Sequence, residues 1–276
     1  MLFLGYCPPV KFLARPADNT AQVCVLQTFG VTDKGQVRSR NEDSFTSPED
    51  LQFCAVADGM GGHNAGDIAA QITVDTLVEF MRACQGAPDF WPFGVDPSLS
   101  EAGNRMRTAI QLANQRVLEV AAESREYMGM GTTVVAALLD GDHLTVGHVG
   151  DSRLYLLRDG RLRSMTRDDS WAAVLAQDPT IDPSVVRNHP LRNALTNVVG
   201  LRPKTEVHVA EEALADNDLL LLTTDGVHAT LDDEQMERLL LQSCDVRELA
   251  GTLVAAALAR GSRDNCTALV ARYLVG

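Results

Sequence analysis

The chain has 276 residues, a formal net charge of −13 and 45% hydrophobic residues. These values fit one globular domain with a sizeable core, and the acidic balance disfavours nucleic acid and anionic membrane surfaces as partners. The six cysteines show no Cys-x-x-Cys spacing, which predicts free thiols in a reducing cytoplasm rather than a disulfide framework. No apolar stretch is long enough to span a bilayer, so no membrane contact is expected.

Residues 1–22 are predicted to form a flexible extension, followed by one domain over residues 23–276. The extension begins with an apolar stretch, but it lacks a basic start and a small-residue cleavage pattern and is broken by Pro8 and Pro9, unlike a signal peptide. From Val23 onward, the alternation of apolar and polar residues predicts a first strand. A short charged segment then follows, and by itself it is typical of a solvated turn.

A run with the composition of a buried strand, Phe53 to Ala57, delivers Asp58 directly before a glycine-rich stretch. Glycine lets the backbone approach a small charged ligand, and the Gly59 carbonyl can join the Asp58 carboxylate as a ligand of a hard cation. Oxygen donors suit Mg²⁺ or Mn²⁺ better than Zn²⁺. For this run alone, a tight turn with Asp58 as a helix-start residue is the alternative.

Two helices are predicted next, over residues 65–83 and 100–124, from apolar residues at helical spacing. The loop between them, residues 86–97, carries Phe90 and Phe93 among turn residues. An aromatic plug over the core is expected there, and a partner surface is the alternative.

Strands dominate the middle of the chain. The apolar runs 134–139 and 144–149 are joined by an Asp-Gly turn, and a second Asp-Gly hairpin spans residues 154–162. Asp151 stands at the glycine break between these hairpins, where an Asx turn explains it locally. Residues 167–200 are predicted to form short helical pieces framed by prolines.

The last part of the chain places Asp225 after a run of four leucines and Asp264 just before an apolar final strand. Helices are predicted between them, over residues 231–242 and 246–260. The order of strands, a helix pair, strands and a helix pair predicts an α+β fold. It is a four-layer α-β-β-α sandwich, in which two mostly antiparallel sheets pack face to face with helices outside.

Four acids thus stand at strand ends: Asp58, Asp151, Asp225 and Asp264. Unpaired carboxylates gathered in one place would repel each other, so their convergence requires a cation, and two or more cations if all of them meet.

These motifs, taken together, resemble those of a known family. They are Asp58-Gly59, Gly150-Asp151-Ser152-Arg153, Asp225-Gly226 and Asp264-Asn265, together with Arg38-Ser39-Arg40-Asn41-Glu42-Asp43 and Gly129-Met130-Gly131-Thr132-Thr133. In this order they resemble the metal-dependent protein phosphatases, the type 2C serine/threonine phosphatases, in their compact bacterial form. The similarity runs from about Thr28 to Tyr273.

The resemblance implies a role for each matching position. Arg38 would bind the substrate phosphate, since a guanidinium fits phosphate oxygens bidentately. Catalysis would rest on Arg38, Asp58 and Asp225. The implied metal ligands are Glu42, Asp58, Gly59, Asp225 and Asp264, with Asp151 holding a third metal. Asp43, His63 and Asn265 would support these ligands, and residues 167–200 would form a flap that tunes access.

The implied reaction is hydrolysis of phosphoserine or phosphothreonine by metal-activated water at two Mn²⁺ or Mg²⁺ ions, with a third ion as an option. Phosphoproteins and a cognate serine/threonine kinase are the expected partners of a cytoplasmic monomer. The alternative is a catalytically weak, phosphoprotein-binding relative, which should have lost Asp58, Asp225 or Asp264. A structural metal-binding module would explain the acids but not Arg38.

The leaving-group acid is left open by the sequence. Eukaryotic members of the family have a histidine after the Asp-Gly pair, whereas this chain has Met60, as bacterial members commonly do. His63 is a candidate, and a structural histidine at a helix start explains it equally well. The Val227-His228 pair after Asp225-Gly226 is a second departure, which predicts different local packing or substrate contact. His148 is expected to be a core histidine.

Overall fold

The computed structural model describes residues 24–61, 65–85, 90–178 and 180–276, without the side chains of Pro183, Arg187 and Asn188. The predicted extension, residues 1–22, and the candidate His63 lie outside the described residues.

The first of two sheets has five strands, and every neighbouring pair in it is antiparallel. In order across the sheet they are β1 (Cys24–Asp33), β11 (Cys266–Val275), β10 (Leu219–Thr223), β7 (Arg153–Arg158) and β8 (Arg161–Ser164).

The second sheet has six strands and is also antiparallel throughout. Five of them follow one another as β2 (Asp43–Thr46), β3 (Phe53–Met60), β5 (Val134–Asp140), β6 (His143–Val149) and β9 (His208–Ala213), while β4 (Gly131–Thr132) pairs with the end of β3.

Helices cover the outer face of each sheet. The second sheet packs against α1 (Gly66–Cys84) and α2 (Glu101–Glu123), and the first against α6 (Asp233–Leu240) and α7 (Val246–Ala259). This confirms the predicted four-layer α-β-β-α sandwich. Shorter elements are a 3-10 turn (Glu49–Leu51), α3 (Trp171–Leu175), α4 (Pro183–Asn188) and α5 (Asp225–His228).

Three apolar layers stabilise the sandwich. Strand β10 contributes to two of them, which explains why its sequence does not alternate between apolar and polar residues. Leu219 and Leu221 pack under α6 and α7, while Leu220 and Leu222 pack between the two sheets. A strand buried on both faces has no solvent side, so its run of leucines is continuous. Burial of each such side chain contributes about 1.5–3 kcal/mol.

The boundaries of α1, α2, α6 and α7 agree with the predicted ones to within two residues, and side-chain caps fix the starts of the last three. Ser100 accepts a hydrogen bond from the Gly103 N–H at 3.0 Å at the start of α2. Asp232 and Gln235 form a capping box at the start of α6. Two elements at the site, β2 and α5, were not predicted, since each has only four residues.

The expectation of an aromatic plug is not met by Phe90 and Phe93, which are 58% and 37% exposed, whereas Trp91 between them is half-buried. The predicted free thiols are confirmed for the described cysteines, which are all unpaired. His148 is buried, as predicted. Within the described ranges, no helix is long and apolar enough to cross a membrane.

Candidate active site

One edge of the sandwich collects the predicted acids. Asp225 begins α5 directly after β10, and Asp264 stands two residues before β11, which is antiparallel to β10. The end of one strand therefore lies beside the start of the next. In the other sheet, Asp43 at the start of β2 is paired in register with Asp58 near the end of β3.

Asp58 lies at the centre of this group. Loss of solvent contact raises the pKa of its carboxyl well above the usual range, and the charges of four neighbours raise it further. Those neighbours are Asp43, Asp225, Asp151 and Asp264. The convergence of acids that the sequence predicted is thus present, with Asp58 as the carboxyl that all the others repel.

The anionic forms of two neighbours of Asp58, Asp225 and Asp151, are also destabilised. Burial raises the pKa of Asp225, and repulsion from Asp264 adds to this while Arg38 opposes it. Burial, followed by repulsion from Asp225, raises the pKa of Asp151 to about 7. A positive charge at this edge would relieve both repulsions.

Asp43 is buried and held by two hydroxyl groups. Its Oδ2 accepts hydrogen bonds from Thr224 Oγ1 at 2.9 Å and Thr267 Oγ1 at 2.6 Å. Even with these donors, burial raises the pKa of Asp43 to about 7. Its other oxygen, Oδ1, is buried without a partner among the described residues. Thr224 directly precedes Asp225-Gly226 and Thr267 lies two residues after Asp264-Asn265, but neither role was predicted.

Glu42 and Gly59 are brought together by the close approach of two glycines. The Gly59 N–H donates to the Glu42 carbonyl at 3.1 Å. A Cβ added to Gly66, the first residue of α1, would lie 2.9 Å from both Glu42 Oε1 and Gly59 O. Two of the implied metal ligands therefore lie next to each other beside Gly66, and the start of α1 adds a favourable dipole for the Glu42 carboxylate.

Arg38 directly contacts the cluster formed by Asp43, Asp58, Asp151, Asp225 and Asp264, which we call the acidic group. Its Nη2 donates to Asp264 Oδ2 at 2.6 Å, joining residues 226 positions apart. This hydrogen bond is the main reason that the pKa of Arg38 is raised. About half of the Arg38 side chain is exposed, so the guanidinium stands at the mouth of the site, where an incoming phosphate can meet it.

Asn265 clamps the loop that carries Arg38 and Glu42. Its Oδ1 accepts from the Glu42 N–H at 2.8 Å, and its Nδ2 donates to the carbonyls of Lys34 and Arg40, each at 2.8 Å. The side chain is buried. Its predicted supporting role thus takes a definite form, which is the fixing of backbone.

Thr132 and Thr133 fix the backbone of Asp58. Thr132 Oγ1 donates to the Asp58 carbonyl at 2.8 Å, and the Thr133 N–H donates to the same oxygen at 2.9 Å. Thr133 Oγ1 in turn accepts from the Asp58 N–H at 3.2 Å. Sequence reasoning assigned these residues no role, although the Gly-Met-Gly-Thr-Thr motif was the available signal.

The donor set suits a hard divalent cation, since it consists of carboxylate and carbonyl oxygens. Asp225 Oδ1 and Asp43 Oδ1 are buried oxygens with no hydrogen-bond partner in the described chain, and a nearby cation would satisfy such atoms. No three acidic, histidine or cysteine side chains of the described residues are grouped tightly enough to enclose a metal by themselves. The implied ligands Asp58, Asp225 and Asp264 are thus not arranged as a closed three-carboxylate site among the described residues, and their role as ligands remains a prediction.

The raised pKa of Asp43 makes a prediction for the metal-free protein. A carboxyl whose pKa is raised on folding binds its proton more tightly in the folded state, so stability falls as pH rises from about 4 to about 7. Asp43→Asn removes this penalty, on the order of a few kcal/mol. In EDTA, we expect the variant to melt about 5 °C or more above the wild type at pH 8, and the gain to shrink toward pH 5.

Asp159→Asn is the matched control, since Asp159 is exposed in a left-handed turn that asparagine also adopts. Its melting temperature should track the wild type across this pH range. A gain for Asp43→Asn that is equal at pH 5 and pH 8 would contradict the titration.

The site combines buried carboxyls at the ends of facing strands, an arginine at its entrance and oxygen donors for a hard cation. Together these features define a metal-dependent hydrolase site on an α-β-β-α sandwich. Comparison with known proteins makes this specific: the Protein phosphatase 2C family profile matches residues 34–260. The chain belongs to this family and is a metal-dependent serine/threonine protein phosphatase of the bacterial type.

Bacterial relatives share most of this chain. The serine/threonine phosphatase Stp of Listeria welshimeri is 32% identical over 242 residues, which cover 87% of this chain and 92% of the relative. The serine/threonine protein phosphatase PstP of Mycobacterium tuberculosis is 34% identical over 247 residues, which cover 90% of this chain and 45% of that longer protein.

Solved structures share the fold. The crystal structure of the Mycobacterium tuberculosis PstP phosphatase superposes with a TM-score of 0.78 at 32% identity, covering 90% of this chain and 98% of that one. The catalytic domain of a PstP phosphatase in complex with two manganese ions has a TM-score of 0.76 at 31% identity, covering 91% and 100%.

Proposed function

We propose that the chain hydrolyses phosphoserine and phosphothreonine monoesters at a centre of two Mn²⁺ or Mg²⁺ ions held by Asp58, Asp225, Asp264, Glu42 and the Gly59 carbonyl. When bound, such ions lower the pKa of a water ligand and neutralise phosphoryl oxygens. The observation that supports the proposal is the group of buried carboxyls around Asp58. Asp43 is its partner in the strand pairing, and the charges of Asp43, Asp225, Asp151 and Asp264 all raise its pKa, a repulsion that bound cations would relieve.

Each of these residues would have its own role, set by its position. Asp58 faces both halves of the acidic group and would bridge two ions, while Asp225 and Asp264 would hold the first ion. Glu42 and the Gly59 carbonyl, which both lie beside Gly66 at the start of α1, would hold the second. Asp151, whose charge also acts on Asp58, would hold a third ion.

Arg38 would orient the phosphate. Its guanidinium lies 2.6 Å from an oxygen of Asp264, and about half of its side chain is exposed, so it is accessible to a phosphate at the site. The N–H groups that now donate to Asp264 are the ones that would donate to the phosphate oxygens. No serine or cysteine nucleophile is part of the proposal.

The physiological setting extends the proposal. Phosphoproteins are the substrates of this family, and a cognate serine/threonine kinase would supply them. The charge of −13 supports neither a nucleic-acid partner nor an anionic membrane surface. We place the protein in the cytoplasm as a monomer, and gel filtration with light scattering tests the oligomeric state.

The test of the proposal is hydrolysis of para-nitrophenyl phosphate and of a phosphothreonine peptide. Turnover with added Mn²⁺ or Mg²⁺ that EDTA abolishes is the expected result. A folded protein that binds the phosphopeptide but turns over neither substrate with any metal would support the phosphoprotein-binding alternative instead.

Arg38→Ala is expected to lower kcat/KM for both substrates by about 10- to 100-fold, since a charge-assisted hydrogen bond contributes about 1.5–3 kcal/mol. Arg40→Ala is the matched control: Arg40 is an exposed arginine of the same loop, and its carbonyl, which Asn265 binds, is unchanged by the substitution. Equal losses in the two variants would show that Arg38 acts only through the general charge of the loop.

A further inference from the structure

A groove of about 1080 Å³ lies beside the candidate active site. Its walls come from two stretches of chain, residues 164–177 and residues 196–208. His148, near the end of β6, completes the lining. We call it the flap groove, because the first wall belongs to the predicted flap. None of its lining residues is a predicted metal ligand.

Three cations line the flap groove: Arg167, Arg202 and Lys204. All three are exposed. None of them has a carboxylate within 4.0 Å anywhere in the described part of the chain. Arg167 donates only to the carbonyl of Ala173, at 3.3 Å. In a chain with a net charge of −13, such uncompensated cations in one concave surface are available to an anionic ligand.

The carboxylates of the flap groove do not cancel these cations, because most are engaged elsewhere. Asp168 accepts two hydrogen bonds from the Arg153 guanidinium, at 2.8 and 2.7 Å. Asp169 accepts from His208 Nε2 at 2.9 Å and from Asn197 Nδ2 at 2.8 Å. The Arg153 contact compensates the charge of Asp168, whereas Asp169 is hydrogen-bonded but keeps its negative charge while His208 is neutral.

Glu206 is the remaining lining carboxylate, and it has no ion pair in the described chain. Three cations therefore face two uncompensated carboxylates, Asp169 and Glu206, and the local charge is positive by one. The His148 and His208 rings stack at 4.9 Å in the same wall. Hydrogen bonding to Asp169 raises the pKa of His208, which adds positive charge below neutral pH.

The flap groove and the acidic group share a wall. Asp169 lines the groove, and its Oδ2 accepts from the Gly150 N–H at 3.0 Å. Asp168 lines it too and is bound to Arg153. Gly150 and Arg153 flank Asp151 in sequence, and Asp168 is among the charges that raise the Asp151 pKa. A peptide in the groove would therefore lie close to a phosphate at the site.

We propose that the flap groove binds an acidic segment of the substrate, next to its phosphorylated residue. Complementary charge across such a surface selects partners and steers their approach more than it tightens binding. Here it would offset the repulsion that the whole acidic chain exerts on an acidic substrate. This inference rests on the proposed phosphatase function and names a substrate class for it.

The test compares two double variants with equal changes of charge. Arg202→Glu with Lys204→Glu reverses the groove cations. Arg116→Glu with Arg125→Glu reverses two exposed cations that lie outside the groove lining, on α2 and in the turn after it. Each is assayed with para-nitrophenyl phosphate, a phosphothreonine peptide flanked by Asp and Glu, and the same peptide flanked by Ser and Gly.

We expect the groove variant to lose about tenfold or more in kcat/KM for the acidic peptide, equivalent to about 1.4 kcal/mol. Its rate with para-nitrophenyl phosphate should stay at the wild-type level. The wild-type preference for the acidic peptide should also vanish near 1 M salt, where the Debye length falls to about 3 Å.

Two results would overturn the proposal. One is wild-type enzyme that hydrolyses both peptides equally well at low salt, and the other is an equal loss in the two double variants. Failure of the phosphatase function itself looks different, since para-nitrophenyl phosphate would then not be hydrolysed by any protein in the series.

Discussion

Asp58→Asn is expected to remove metal-dependent hydrolysis of para-nitrophenyl phosphate, with a loss of about 10³-fold or more in kcat. The metals of such sites contribute several kcal/mol to the transition state, and each 1.36 kcal/mol is a factor of ten in rate. Asparagine keeps the size of the side chain but removes the charge on which four neighbouring carboxyls converge. The measurement is the initial rate with saturating Mn²⁺.

The same substitution should stabilise the metal-free protein. In EDTA the Asp58 carboxyl is destabilised by lost solvation and by like charges, and a neutral amide avoids both. We expect the melting temperature to rise by a few degrees at pH 8, as found for active-site groups that trade stability for function.

Asp159→Asn serves again as the control, because it makes the same chemical change in an exposed turn. It should retain wild-type activity and an unchanged melting temperature. Wild-type turnover by Asp58→Asn, or a melting temperature in EDTA below that of the wild type, would refute the assignment of Asp58 as the central carboxylate of the site.

Gly226→Ala is expected to destabilise the fold by about 3 kcal/mol, at the upper end of the range for overpacking. A Cβ on Gly226 would overlap the carbonyl oxygen of Asn265 and lie 2.8 Å from its carbon. That carbonyl has little freedom to move, because the Asn265 side chain holds three backbone groups. Chemical denaturation measures the loss, and Mn²⁺-dependent activity should fall with it because Asp225 is adjacent.

Gly251→Ala is the paired control with the opposite sign. Gly251 lies inside α7, and an added Cβ would meet nothing within 4 Å. Alanine in a helix interior is favoured over glycine by about 0.5–1 kcal/mol, so this variant should be more stable than the wild type. If the two alanines change the free energy of unfolding alike, the close packing of Gly226 on Asn265 is refuted.

Local patterns were enough for the main elements. The helices α1 and α2 follow from apolar residues at helical spacing, and the hairpin of β5 and β6 from two apolar runs around an Asp-Gly turn. Capping residues such as Ser100 stand next to the groups they bind. These signals act over a few residues, so they survive in any tertiary context.

The sequence by itself also determined which acids stand at strand ends, and hence that Asp58, Asp225 and Asp264 could meet and that a hard cation suits them. The roles of residues 1–22 and His63, and the flap assignment of residues 167–200, remain predictions.

Only the tertiary structure decided how the acids are held. Arg38 meets Asp264 across 226 positions, and Asn265 binds the Lys34 carbonyl across 231. No sequence pattern specifies such partners, because strand pairing can make neighbours of residues that are far apart in the chain. The groove cations Arg202 and Lys204 are likewise ordinary surface residues in the sequence, and they face a common ligand only because the fold places two separate stretches of chain opposite each other.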